Sequence, residues 1–77
     1  MDLKEVVAIN LRRLRHARRW TQEELGERSG LTARYIGAIE RGERNITLAT
    51  LARIANAAQT TPVALLKSDA PGQGRPN

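Results

Sequence analysis

Apolar residues recur along this chain at helical spacing and never in strict alternation, so the pattern predicts helices and no sheet. In residues 4–19, Val7, Leu11 and Leu14 share one stripe that Ala17 and Arg18 continue, which marks a first amphipathic helix. Its second half, RRLRHARR, holds five arginines and no acid. Thr21-Gln-Glu-Glu24 is a capping-box sequence: the Thr21 hydroxyl serves the Glu24 amide while Glu24 reaches back. A second helix runs from there to about Arg28 with Leu25 inside, and Gly30 supplies the left-handed end. Leu31 is an apolar turn residue expected to be buried. Thr32 caps a third helix, about 33–41, which Gly42 closes. After the loop at Asn45 and Ile46, Thr47 caps a fourth helix over about 48–58, striped by Leu48, Leu51, Ile54, Ala55 and Ala58. Thr61-Pro62 joins an N-cap to a proline at the first helical position and starts a short fifth helix, Val63 to about Lys67. Residues 1–67 therefore read as one all-α domain of five helices. Residues 68–77, SDAPGQGRPN, have no apolar cluster and read as a disordered tail.

The third helix is the unusual one. Ile36, Ile39 and Glu40 fall on one arc with Tyr35 beside them, whereas Ala33, Arg34, Gly37, Ala38 and Arg41 occupy the opposite arc. Two isoleucines fix the inward side. The outward side is small residues plus two arginines. Gly37 costs about 1 kcal/mol relative to Ala inside a helix and caps nothing there. A bare, cationic face suits close approach to something broad, and an α-helix fits the major groove of B-DNA, where Arg pairs with guanine O6 and N7. Two capped helices joined through Ser29-Gly30-Leu31, the second presenting such a face, form the helix-turn-helix layout.

Charge adds to this picture. The 77 residues carry thirteen Lys+Arg against eight Asp+Glu, a net +5, and eleven of the thirteen are Arg. Arg's planar fork favours phosphate and guanine edges, so a polyanion is the expected partner. With no cysteine and His16 as the single histidine, disulfides and the usual zinc spacings are excluded, and no metal or cofactor is expected. A domain this small buries only about 60% of its unfolded surface, so its core is modest. No apolar run reaches the ~18 residues that span a bilayer. MDLKEVVAIN contains acids and no cleavable apolar stretch, so no leader is expected and the chain is expected in the cytoplasm, associated with the nucleoid.

The run TQEELGERSGLTARYIGAIERGERNITLATLARIANAAQTTPVALL, with LRRLRHARRW before it, resembles the Xre/Cro-type helix-turn-helix regulators of bacteria and phage. Its landmarks are Thr21-Gln22, Leu25, Gly30, Ile36, Ile39-Glu40-Arg41-Gly42, Leu51 and Pro62, and the likeness covers about residues 5–66. More narrowly, Tyr35 to Asn45 is similar to the controller proteins of restriction–modification systems. Those commonly show Arg then Thr before the Tyr. Here the pair is Ala33-Arg34, so the subfamily stays open and no operator carries over.

The resemblance implies a lambda-repressor-like fold and assigns roles. Thr32, Ala33 and Arg34, just past the third helix's cap, would meet base edges, Arg34 most simply a guanine. Tyr35 and Ala38 would touch bases or backbone. Gln22, Arg15, Arg41, Arg44 and Asn45 would meet phosphates, which position a protein without naming the sequence. An acid at Glu40 would pair with Arg15 and fix the helices' geometry. Arg12, Arg13 and Arg19 read as solvated, and His16 as surface. Ile46, Leu48, Val63 and Leu66 exceed what a small core needs and are candidates for a homodimer surface on a two-fold operator. The expected function is a sequence-specific double-stranded DNA-binding transcription regulator, controlled through its own concentration. The alternative from another class is an antitoxin-like module whose main partner is a toxin protein, and the short polar tail argues against it. Neither a Ser/His/Asp set nor a phosphate loop is present, so no enzyme and no small-molecule ligand are expected.

Overall fold

The computed structural model describes residues 2–68, so residues 69–77 of the expected tail lie outside the described residues. The five expected helices are present, in the order α1 Leu3–Ala17, α2 Gln22–Ser29, α3 Ala33–Glu40, α4 Leu48–Ala57 and α5 Pro62–Leu66. The described residues contain no strand. No helix among them is long and apolar enough to cross a membrane.

Each helix starts on a side-chain cap. Asp2 accepts from the Lys4 amide. Thr21, Thr32, Thr47 and Thr61 each accept from the amide three residues on, which meets one of the unpaired donors at a helix start. The Thr21 capping box is closed in both directions, with Glu24 N–H donating to Thr21 at 3.0 Å and Thr21 N–H to Glu24 at 2.8 Å.

Four helices end on a left-handed residue. Gly30 and Gly42 hold φ 75° and 74°, and Arg19 and Gln59 hold 60° and 59°. At α1 the Trp20 amide bonds back to the Arg15 carbonyl and that of Arg19 to His16; Thr60–Ala55 and Gln59–Asn56 repeat the pattern after α4. These are Schellman closures. The two that use glycine were legible in the sequence. The two that do not explain why the first and fourth helices stop at Ala17 and Ala57, short of the expected 19 and 58.

The core is one cluster. Leu11, Leu25, Ile36, Ile39 and Ile54 are fully buried, with Val7, Leu51, Ala55 and Leu65 around them. α1 packs on α3 and α5, α2 on α3 and α4, and α4 on α5. Leu31 lies half-buried against this cluster.

Side chains from one helix also serve the carbonyl ends of others. Arg12 donates to the Glu40 carbonyl at 2.8 Å, Arg18 to that of Ala58 at 2.6 and 3.0 Å, and Arg53 to that of Gly30 at 2.9 Å. Asn10 reaches the carbonyls of Leu65 and Lys67. Helix ends leave carbonyls unpaired and carry partial negative charge, so a guanidinium there is doubly suited. Arg12, expected in solvent, is thus an interhelical tie, and Arg18, expected to continue the apolar stripe, is instead exposed and ties the end of α1 to the end of α4.

Gln59 is a non-glycine residue in a left-handed conformation that costs an L-residue about 1–2 kcal/mol. Gln59→Gly should raise stability by about 0.5–1 kcal/mol after glycine's greater unfolded freedom is deducted. A higher urea midpoint at unchanged slope would show this, and a lower one would show that Gln59 is not strained.

Candidate nucleic-acid interface

The turn between α2 and α3 is built tightly. A Cβ on Gly26 would stand 2.6 Å from the Leu31 carbonyl oxygen and 3.2 Å from the Ala33 nitrogen. Glycine at that position therefore lets α3 begin directly against α2. Gly26 has no assigned role in the sequence pattern above; its signal is that of a glycine inside a capped helix beside a turn, which marks close backbone approach. Gly30 then reverses the chain, and Thr32 starts α3.

The inner edge of α3 is held by a buried carboxylate. Glu40 is 4% exposed. Arg15 clasps it with two bonds, Nε to Oε2 at 2.6 Å and Nη2 to Oε1 at 3.0 Å, while Gln22 Nε2 donates to Oε1 at 3.1 Å. Burial alone would push the Glu40 carboxyl up. The bonds from Arg15 and Gln22, with the Arg15 charge, outweigh it and hold the group below its ordinary value. One carboxylate thus joins α1, α2 and α3.

That clamp changes the reading of three residues. Arg15's remaining nitrogen donates to the Trp20 carbonyl at 2.9 Å, so every nitrogen of its guanidinium is engaged by protein. The structure places Arg15 in the expected pair with Glu40. Gln22 lies across α3 to reach Glu40. Gly37, expected on a bare outer face, is buried: a Cβ there would meet Arg41 Nη1 at 3.2 Å and Gln22 Oε1 at 3.3 Å. The glycine makes room for the Gln22 side chain, which the sequence pattern alone could not show.

The outer edge of α3 remains open. An exposed concavity of ≈ 710 Å³ is lined by Gly30, Leu31, Thr32, Arg34, Tyr35, Ala38, Arg41, Glu43 and Arg44. It gathers six of the sequence-derived candidates: Thr32, Arg34, Tyr35, Ala38, Arg41 and Arg44. Ala33 is half-buried beside the α2 turn, and Asn45 belongs to a different groove. Thr32's oxygen accepts the cap bond from Tyr35 N–H at 3.0 Å, leaving its O–H to donate elsewhere. The three arginines differ. Arg34 is exposed with no ion-pair partner among the described residues. The Arg44 guanidinium lies over the Tyr35 ring, 5.2 Å from its centroid. Arg41 is paired with Glu43 at 3.0 Å.

The second groove is apolar. Leu3, Val7, Ile46, Leu48, Leu51 and Leu66 line it with Lys4, Arg44 and Asn45, in a volume of ≈ 190 Å³. Leu3 and Leu48 are 62% and 80% exposed. Of the four dimer candidates, Ile46 and Leu66 lean on the core and Leu48 stands out. Val63 is 64% exposed but does not line the groove. Leu3 lies outside the first helix expected at 4–19 and has no role in the sequence pattern; as the first residue of α1 it borders the groove. No group of three or more His, Cys, Asp or Glu among the described residues could hold a metal.

The helix-turn-helix family model matches residues 11–65, which include the clamp, the turn and the α3 face. The chain belongs to the helix-turn-helix family. It is 48% identical over 66 residues to control protein C.SmaI of Serratia marcescens, covering 86% of this chain and 79% of that protein. Two crystal structures resemble its fold. A hypothetical transcription factor from Neisseria superposes with a TM-score of 0.84 at 37% identity, over 88% of this chain and 78% of that one. The restriction-modification controller protein C.AhdI of Aeromonas hydrophila gives 0.78 at 37% identity, over 80% and 94%. This helix-turn-helix chain is a transcriptional regulator of the controller-protein type, not an enzyme.

Arg15→Ala should cost about 3–5 kcal/mol at neutral pH, because it leaves Glu40 charged and buried without its main partner. The folded Glu40 is held below the unfolded value of about 4.3, so its contribution is complete above that pH and is lost as pH falls through the lower folded value. The gap between wild type and Arg15→Ala should therefore close in acid. Urea denaturation across pH measures it, and a gap constant down to acid would exclude the carboxylate as its source.

Proposed function

We propose that this regulator binds double-stranded DNA sequence-specifically as a homodimer, with α3 lying in the major groove of each half of a two-fold operator. The observation that carries this is the contrast across α3: its inner edge is clamped at Glu40, and its outer edge offers an exposed Arg34, without an ion-pair partner among the described residues, in a cationic concavity. A rigid support behind a free guanidinium is what base-edge readout requires, since a loose reader forfeits discrimination. Arg34 reads a base, most simply a guanine. Thr32, Ala33 and Ala38 shape the contact beside it. Arg41, Arg44 and Asn45 meet phosphates, and Gln22 does so from the edge of the clamp.

One such helix makes a small interface, and paired half-sites about one turn of DNA apart multiply its selectivity. The exposed leucines Leu3 and Leu48 on the apolar groove, flanked by Ile46 and Leu66, support a second copy there. Similarity to C.SmaI and C.AhdI supports the controller-type setting. If a dimer met ~8 phosphates, log K would fall against log salt with a slope near −7.

Selection from random duplex DNA at near-physiological salt should return a palindrome. On that site Arg34→Ala should lose about 1–3 kcal/mol and relax preference at one base position per half-site, whereas Gln22→Ala should weaken every duplex alike. A uniform loss for Arg34→Ala would move it to the phosphate class. Selection that enriches no duplex would remove the proposal.

A further inference from the structure

Among the described residues, Glu43 is the one acid lining the cationic concavity. Its Oε2 accepts from Arg41 Nε at 3.0 Å, and both side chains are more than half exposed. Residues two apart on a continuing helix point away from each other. They meet here because α3 has ended: Gly42 turns left-handed at φ 74°, the Gly42 amide bonds to the Ile39 carbonyl and the Glu43 amide to that of Ala38 at 3.1 Å. The origin of the Glu43 side chain is therefore fixed by backbone bonds, while its carboxylate is held only by an exposed pair. Such pairs are weak and exchange readily.

Building on the DNA-binding reading above, we infer that Glu43 is a specificity-determining residue: it occupies Arg41 as a stand-in for phosphate and releases it only where the duplex presents a phosphate in register. Non-specific affinity comes from counterion release by cations that meet phosphates wherever the protein lands. An arginine already neutralised by its neighbour contributes little to that. In the registered complex, a phosphate on the open side of Arg41 displaces the carboxylate and the contact counts. Glu43 thus lowers binding to random sequence more than binding to the operator. Arg34, which has no acid partner among the described residues, is not restrained in this way.

The test compares the full chain carrying Glu43→Gln, Arg41→Gln or both, each verified folded by circular dichroism, on a random duplex and on the selected site over a salt series. Glu43→Gln should tighten random-duplex binding by about threefold or more per protomer and steepen its salt slope by about 0.9. The selected site should gain less, so the ratio of the two affinities falls. In the Arg41→Gln background most of the random-duplex gain should vanish. An equal gain with or without Arg41 would show plain charge removal and overturn the inference. So would a loss confined to the selected site, which would place the carboxylate on a base. In both cases the wild type still binds DNA; a wild type that binds no duplex would instead sink the DNA-binding reading itself.

Discussion

The Glu40 carboxylate is the point on which the helix-turn-helix depends. It is buried, charged and shared: Arg15 of α1 clasps it, Gln22 of α2 joins it, and Arg12 ties the carbonyl of the same residue. A buried carboxylate is tolerated only when its bonds are made, and here they can be made in one arrangement of three helices. Apolar packing of Ile36 and Ile39 presses α3 onto the core, but it is directionless. The clamp adds direction. It fixes the rotation of α3 about its own axis and so decides which side chains face outward.

Seven of the arginines fall into two groups. Arg12, Arg15, Arg18 and Arg53 are spent inside the fold on carbonyls at helix ends or on Glu40. Arg34, Arg41 and Arg44 stand on the outer face. A net charge of +5 therefore overstates how much cation is free for a partner and understates how concentrated that remainder is. Arg28 and Arg18 both lie over Trp20, at 4.4 and 5.9 Å from the ring centroid, which uses further cationic surface away from α3.

Local signals made most of the fold legible. Four threonines, one capping box and two glycines mark helix ends through chemistry that acts within four residues, and the structure uses all of them. The ends at Arg19 and Gln59 were overrun because a left-handed arginine or glutamine leaves no mark in composition. The site was legible as a face but not as a mechanism. Period 3.6 separates Arg34 from Ile36, yet it cannot tell that Gln22 lies over Gly37 or that Glu43 folds back onto Arg41. Those are contacts between elements or across a turn, and only the packed geometry brings them together. Arg12 shows the same limit: on a helical wheel it faces water, and in the fold it faces a carbonyl.

The most direct test of the account is dimethyl sulfate protection of guanine N7 on a bound, selected duplex, because that atom is reached only through the major groove. With α3 seated as described, one guanine in each half-site should be protected by the wild-type chain and become reactive again when Arg34 is truncated. Protection that persists without Arg34, or a bound duplex whose major-groove guanines all stay reactive, would contradict it.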